Sequence, residues 1–107
     1  MNKFLSFLGL AKRSGSILEG YSKCNEQRNK KKIYLFIVSK DASDASKKKF
    51  KNHCIDNNIK YIENFSKEEL GAAVGRPEVK IVAVLDDNIA RKLLALYVEE
   101  ENMNWNN

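Results

Sequence analysis

The chain has 107 residues, 43% hydrophobic and 31% charged, enough for one domain with its own core and too apolar for a disordered chain. Its longest apolar stretches, such as Ile33 to Val38 and Ile81 to Leu85, fall far short of the roughly 20 residues that span a bilayer. Lys12 and Arg13 follow the apolar amino-terminal stretch where a secretion signal needs small residues, so membrane and secretory classes are disfavoured and a cytoplasmic protein is expected.

The net charge of +5 conceals an asymmetry. Residues 1–53 hold 13 lysines and arginines against four acids, a balance of +9, while residues 54–107 hold six against ten, a balance of −4. One basic face for a polyanion and one acidic face left to solvent would account for it, as would a role in solubility alone.

Phe4, Phe7, Leu8 and Ala11 repeat at the spacing of one helix face, and Ser14-Gly15 ends that helix after the cationic Lys12-Arg13 turn. Ile17-Leu18, between Gly15 and Gly20, suits only a short strand or an extended link. Tyr21 to about Asn29 reads as a poor helix, with Tyr21 and Cys24 as its only apolar positions. The continuous run Ile33 to Val38 is that of a strand buried on both faces at the sheet centre. Asp41 or Ser43 caps a following helix to about Asn57, with Ala42, Ala45, Phe50 and Cys54 as its apolar positions. Lys60 to Glu63 alternates like a half-buried strand.

Ser66 and Glu69 form a capping box, with Phe65 and Leu70 as the hydrophobic staple around it, so a helix starts there and stops near Gly75. Arg76-Pro77-Glu78 is a loop, Val79 to Leu85 a strand, and Asp86 to Asn88 offers caps for a last helix through Ile89, Leu93, Leu96 and Tyr97. Residues 99–107, acidic and rich in asparagine, are expected to fray unless Trp105 docks. The alternation predicts a three-layer α/β/α sandwich around a four-stranded mixed sheet, with residues 1–98 as a single domain.

No set of residues converges on catalysis, and no cofactor or metal is expected. Gly15 and Gly20 mimic the start of a phosphate-binding loop, but Tyr21 stands where its lysine is required. His53-Cys54 with Cys24 lacks the paired spacing of metal ligands, and a buried Cys54 beside an exposed His53 is the expected arrangement. Cys24 and Cys54 read as buried thiols.

Leu8-Gly9-Leu10-Ala11-Lys12-Arg13-Ser14-Gly15, then Gly20, Ser39-Lys40-Asp41-Ala42-Ser43, Lys47-Lys48-Lys49-Phe50, and Glu69-Leu70-Gly71 with Gly75 resemble the bacterial YlxQ-type ribosomal-protein-like family, from about residue 4 to residue 94. That family sits within a superfamily of ribosomal proteins that bind kink-turn RNA, a sharply bent duplex with flipped-out bases and sheared G·A pairs. The resemblance implies an α/β/α sandwich and an RNA-binding role in the translation machinery, with the ribosome or other translation proteins as partners; a monomer is expected. It also implies that RNA meets the start of the second helix at Gly20 and Ser22-Lys23, and the loop before the last strand at Gly75, Arg76 and Pro77. Arg76 is suited there to stack on an extruded base or to fork onto a phosphate. The strongest kink-turn binders carry Asn-Glu and a Lys at the second, third and sixth positions after the glycine. Ser22, Lys23 and Glu26 stand there instead, so the G·A-reading roles do not transfer.

Lys12, Arg13, Ser14 and Gly15 are expected to join Lys30, Lys31 and Lys32 in one patch at the same end of the domain. Lys47, Lys48, Lys49 and Lys51 are read as a solvated face remote from the groove. The competing reading is a protein-interaction adaptor of the same fold that meets an acidic partner.

Overall fold

The computed structural model describes the backbone of residues 2–106 and the side chains of residues 2–102. Helix α1 (Lys3–Arg13) begins at Asn2, whose Oδ1 accepts from the Leu5 amide at 3.0 Å. Then come β1 (Ile17–Glu19), α2 (Tyr21–Gln27), β2 (Leu35–Val38), α3 (Asp44–Asn57), β3 (Lys60–Glu63), α4 (Lys67–Val74), β4 (Ile81–Val84) and α5 (Asp87–Asn106). Ser43, not Asp41, caps α3. Asp41 instead accepts from the Lys67 amide at 2.9 Å, at the start of α4. The Ser66–Glu69 capping box is formed in full, and Gly75 closes α4 in the left-handed region at φ 77°.

The sheet order is β1-β4-β2-β3. β4 runs antiparallel to both β1 and β2, and β2 runs parallel to β3. All eight residues of β2 and β4 are buried, because both faces of the sheet are covered. Leu35, Ile37, Val82 and Val84 point into a cluster with Phe4, Leu8, Leu70 and Leu93 from α1, α4 and α5. Phe36, Val38, Ile81 and Ala83 pack with Cys24, Phe50 and Cys54 from α2 and α3. The α/β/α sandwich with a mixed four-stranded sheet is therefore present.

Three expectations need correction or extension. Ala45 is exposed, whereas His53 is buried at 6% exposure with its ring edge-on to Phe36 at 5.9 Å. The last helix continues through the segment read as a tail: nothing in Glu99 to Glu101 breaks a helix, and the Glu100 carboxylate accepts from the Lys3 amide at 3.2 Å while Glu99 lies 3.6 Å from Lys3 Nζ. The side chain of Trp105 lies outside the described residues.

Phe65 holds a left-handed backbone (φ 69°), unusual for an aromatic residue. Two contacts fix it there: its carbonyl accepts from the Ser39 hydroxyl and the Lys40 amide, both at 3.0 Å, and its ring stacks on Phe4 at 5.2 Å. Tyr97 meets Phe4 edge-on at 5.7 Å, so Phe4 ties α1 to the segment before α4 and to α5. Truncating this fully buried ring in Phe4→Ala is expected to lower stability by about 3–5 kcal/mol, read as a reduced urea midpoint at unchanged slope.

Candidate nucleic-acid interface

The register of β4 sorts the loops into two groups. At the Ile81 end of the sheet, the Gly20 amide donates to the Ile81 carbonyl at 2.8 Å and the Ser39 amide to the Lys80 carbonyl at 2.7 Å. The turn into α2, the Ser39–Lys40 turn and the Gly75–Lys80 segment therefore meet there. At the Val84 end, the Leu85 amide donates to the Ser16 carbonyl at 2.8 Å and the Tyr34 amide to the Val84 carbonyl at 2.9 Å. That end receives the Ser14–Ser16 turn and the Lys30–Lys32 turn.

Gly20 caps α2 with φ 95° and ψ 153°, a combination that a Cβ would strain, and supplies no side-chain acceptor to the first turn. Ser22 and Lys23 follow, exposed. Gly71 positions the opposing loop. A Cβ built on it would lie 2.7 Å from the Arg76 carbonyl oxygen, 2.7 Å from the Glu78 Cα and 2.8 Å from the Glu78 nitrogen, so only glycine lets the Arg76–Glu78 backbone pass over α4. The loop is further tied by the Arg76 amide to the Gly71 carbonyl (2.8 Å) and the Val79 amide to the Lys67 carbonyl (2.9 Å). Gly75 to Glu78, Pro77 included, is solvent-exposed.

Lys12, Arg13 and Gly75 line one groove of about 540 Å³ between α1 and α4. Lys12 and Arg76 come together on Glu19. Lys12 Nζ makes a short ion pair with Oε1 of Glu19, and the Arg76 guanidinium lies 3.8 Å from the same oxygen. Glu19 is 6% exposed and its Oε2 has no partner. A buried carboxylate is tolerable only against cations, so the acid holds both side chains over the end of β1. Sequence reasoning missed this residue; the available signal was an acid in the register of a strand directly before a glycine.

Two further placements differ from expectation. Lys49 is not remote: its Nζ donates to the Tyr21 hydroxyl at 2.7 Å and to Asn25 Oδ1 at 3.4 Å, because α3 begins at the Ile81 end and brings its first turns beside Gly20. Tyr21 is 42% exposed, an aromatic surface next to the glycine. Lys47 is drawn off to Glu63 at 3.8 Å. Lys30, Lys31 and Lys32 do not join Lys12 and Arg13 in one patch. They leave α2 on the far layer, and Lys31 and Lys32 line a separate cleft of about 250 Å³ with Arg28, His53 and Asn57. Ser14 and Gly15 share the Val84 end with them, but across the sheet, and the Ser14 hydroxyl is occupied by the Ala11 carbonyl at 3.0 Å.

Burial, reinforced by the Arg28 guanidinium, holds the His53 pKa below its ordinary value of 6.5, with Asp56 opposing. Neutral His53 accepts through Nδ1 from the Arg28 guanidinium at 3.1 Å and from the Asn57 amide at 3.3 Å. Burial also pushes the Cys24 and Cys54 thiols up to about 12. Among the described residues no group of three or more His, Cys, Asp and Glu side chains is placed to hold a metal ion.

The fold and this end together define a small α/β/α domain with a basic, glycine-hinged loop surface. The profile of the ribosomal protein L7Ae/L30e/S12e/Gadd45 family matches residues 2–94, and the chain belongs to that family. The chain is 29% identical over 90 residues to the RNA-binding protein YlxQ of Enterococcus faecium, covering 84% of this chain and 86% of that one. Against the RNA-binding protein YlxQ of Bacillus subtilis (strain 168) it is 28% identical over 94 residues, covering 88% and 94%. Among solved structures, a protein of unknown function from Bacillus halodurans C superposes with a TM-score of 0.85 at 33% identity, over 90% of this chain and 97% of the other. The Giardia lamblia 15.5kD RNA binding protein shares the fold, with a TM-score of 0.69 at 22% identity over 86% and 85%.

Two outcomes are expected. Gly71→Ala overpacks the α4 crossing at a cost of about 1–3 kcal/mol and shifts the amide resonances of Arg76 and Glu78 more than those of α2. Because the neutral form of His53 suits the fold, its contribution is complete above pH 6.5 and is lost as pH falls through the lowered value. The thermal midpoint should therefore drop on acidification, and His53→Gln should flatten that part of the profile.

Proposed function

We propose that the protein binds structured RNA, without chemistry on it, through the Ile81 end of the sheet. The observation that carries this reading is that Lys12 and Arg76 meet on Glu19 directly before Gly20, Lys12 and Arg13 border the groove that reaches Gly75, and Tyr21, held by Lys49, and exposed Lys23 follow Gly20 in the first turn of α2. Cations meet phosphate, the exposed ring offers a stacking surface to an unpaired base, and the two glycines let the RNA backbone approach closely. Membership of a ribosomal-protein family and the names of the YlxQ relatives support RNA as the ligand. The setting that fits is the cytoplasm, with the protein as a monomeric accessory of the translation machinery, its RNA a kink-turn or a ribosomal segment. Neither a catalytic residue nor a cofactor is part of this reading.

Glu19 sets how much of that charge is free. Lys12 and Arg76 share one carboxylate, so this trio carries a net charge of +1 toward the RNA. Glu19→Gln should therefore tighten binding several-fold at low salt and steepen its salt dependence, whereas Arg76→Ala weakens binding and reduces the log–log salt slope by about 1. Fluorescence anisotropy titrations of a kink-turn RNA and a ribosomal RNA fragment at increasing salt measure both. Immeasurable affinity for either RNA at low salt would end the proposal.

The adaptor reading draws on Glu26, an exposed acid where kink-turn binders place a lysine. It requires a protein partner that survives nuclease treatment in a pull-down with no RNA enriched.

A further inference from the structure

We propose that the cleft at the Val84 end, between the end of α2, the end of α3 and the start of β3, is a second phosphate-backbone site for the same RNA. The inference rests on the RNA-binding reading and extends it to a surface outside the Gly20–Gly75 end.

Charge accounting supports the site. Between residues 20 and 59 there are ten lysines and arginines against Glu26, Asp41, Asp44 and Asp56. Arg28, Lys31 and Lys32 line the cleft and no carboxylate does. Lys31 and Lys32 are exposed and, among the described residues, none of the three cations is in an ion pair. Lys12 and Arg76, by contrast, share the Glu19 carboxylate, so the charge of these three cleft cations is less offset than that of the Lys12–Arg76 pair.

Geometry supports it as well. Arg28 is held in place before any ligand arrives, its Nε donating to Asn25 Oδ1 at 3.2 Å and its NH1 to His53 Nδ1 at 3.1 Å. Those two acceptors are neutral, so they orient the guanidinium without cancelling its charge. Asn25 Oδ1 also receives Lys49 Nζ, which in turn reaches Tyr21. The contacts from Tyr21 through Lys49, Asn25 and Arg28 to His53 form one polar seam along the α2–α3 crossing, from the Gly20 end to the cleft. Seven residues of helix span about 10 Å, so both ends of the seam lie within reach of one short stretch of nucleic-acid backbone. An RNA arm that follows this seam from Tyr21 passes Lys49 and Arg28 before it reaches Lys31 and Lys32. The class of ligand is the phosphodiester backbone: nothing in the cleft offers the paired donors and acceptors that read a base edge.

The test is an amide-resolved NMR titration of the full chain with a kink-turn hairpin carrying one extended arm. It is repeated with Lys31→Glu plus Lys32→Glu, which alters only exposed turn residues. Shifts at Lys31–Ile33 and Asn57–Ile59 together with those at Gly20 and Gly75 are expected. The double variant should bind about tenfold more weakly, with a salt slope smaller by about 2, while keeping the Gly20 and Gly75 shifts. Unmoved cleft amides beside a responsive Gly20 and Gly75 would overturn the second site and leave the first intact. Shifts at the cleft alone would overturn the first and keep the second, and no shift at either would overturn both.

Discussion

The antiparallel pairing of β2 with β4, Leu35 opposite Val84 and Val38 opposite Ile81, is the constraint on which the rest of the molecule depends. Both strands are buried on both faces, so slipping the register by one residue would exchange the side chains of one core cluster with those of the other. With the register fixed, β1 can pair only along the free edge of β4, and β3 only along the free edge of β2. Every loop is then assigned to one of two ends. Gly20, Ser39–Lys40 and the Arg76–Lys80 segment gather at one, and Ser14–Ser16 and Lys30–Lys32 at the other. A chain whose cations crowd into its first half thus distributes them to two places in space.

The two places differ electrostatically. At the Ile81 end Lys12 and Arg76 lean on Glu19, and their charges offset the burial of that carboxylate. The loop there is positioned by packing as much as by charge, since the Gly71 crossing leaves no room for a side chain. At the Val84 end the cations have neutral acceptors or none. His53 supports that arrangement because burial keeps its ring uncharged and able to accept from Arg28. One end is a shaped surface with moderated charge, and the other a simpler concentration of charge.

The elements were legible where local chemistry is decisive. The run from Ile33 to Val38 marks a buried strand because six consecutive apolar residues leave no polar face, and the Ser66–Glu69 box marks a helix start because its two hydrogen bonds close within four residues. Gly20 and Gly75 carry their information in a single backbone angle each, and both adopt the positive φ that only glycine takes freely. The residues that escaped depend on tertiary reach. Lys49 touches Tyr21 across 28 positions, and Arg76 meets Glu19 across 57, so neither contact has a sequence period. Lys30–Lys32 and Lys12-Arg13 lie near the same end of the domain by element order, yet the helices that deliver them lie on opposite faces of the sheet. His53 reads as exposed beside Cys54 because a helical repeat does not reveal that an aromatic ring across the layer covers it.

The two cysteines both belong to the α2–α3 layer, at 0% and 2% exposure, and the α1, α4 and α5 layer contains none. Cys54 borders an open cleft with Lys51, Ile55 and Tyr61, whereas Cys24 is closed off between α2 and the sheet. Modification kinetics of Cys24 therefore report the local opening of that one layer, separately from the fluctuations of the other. The layer carrying the polar seam thus contains its own intrinsic probe of breathing, with no label to introduce.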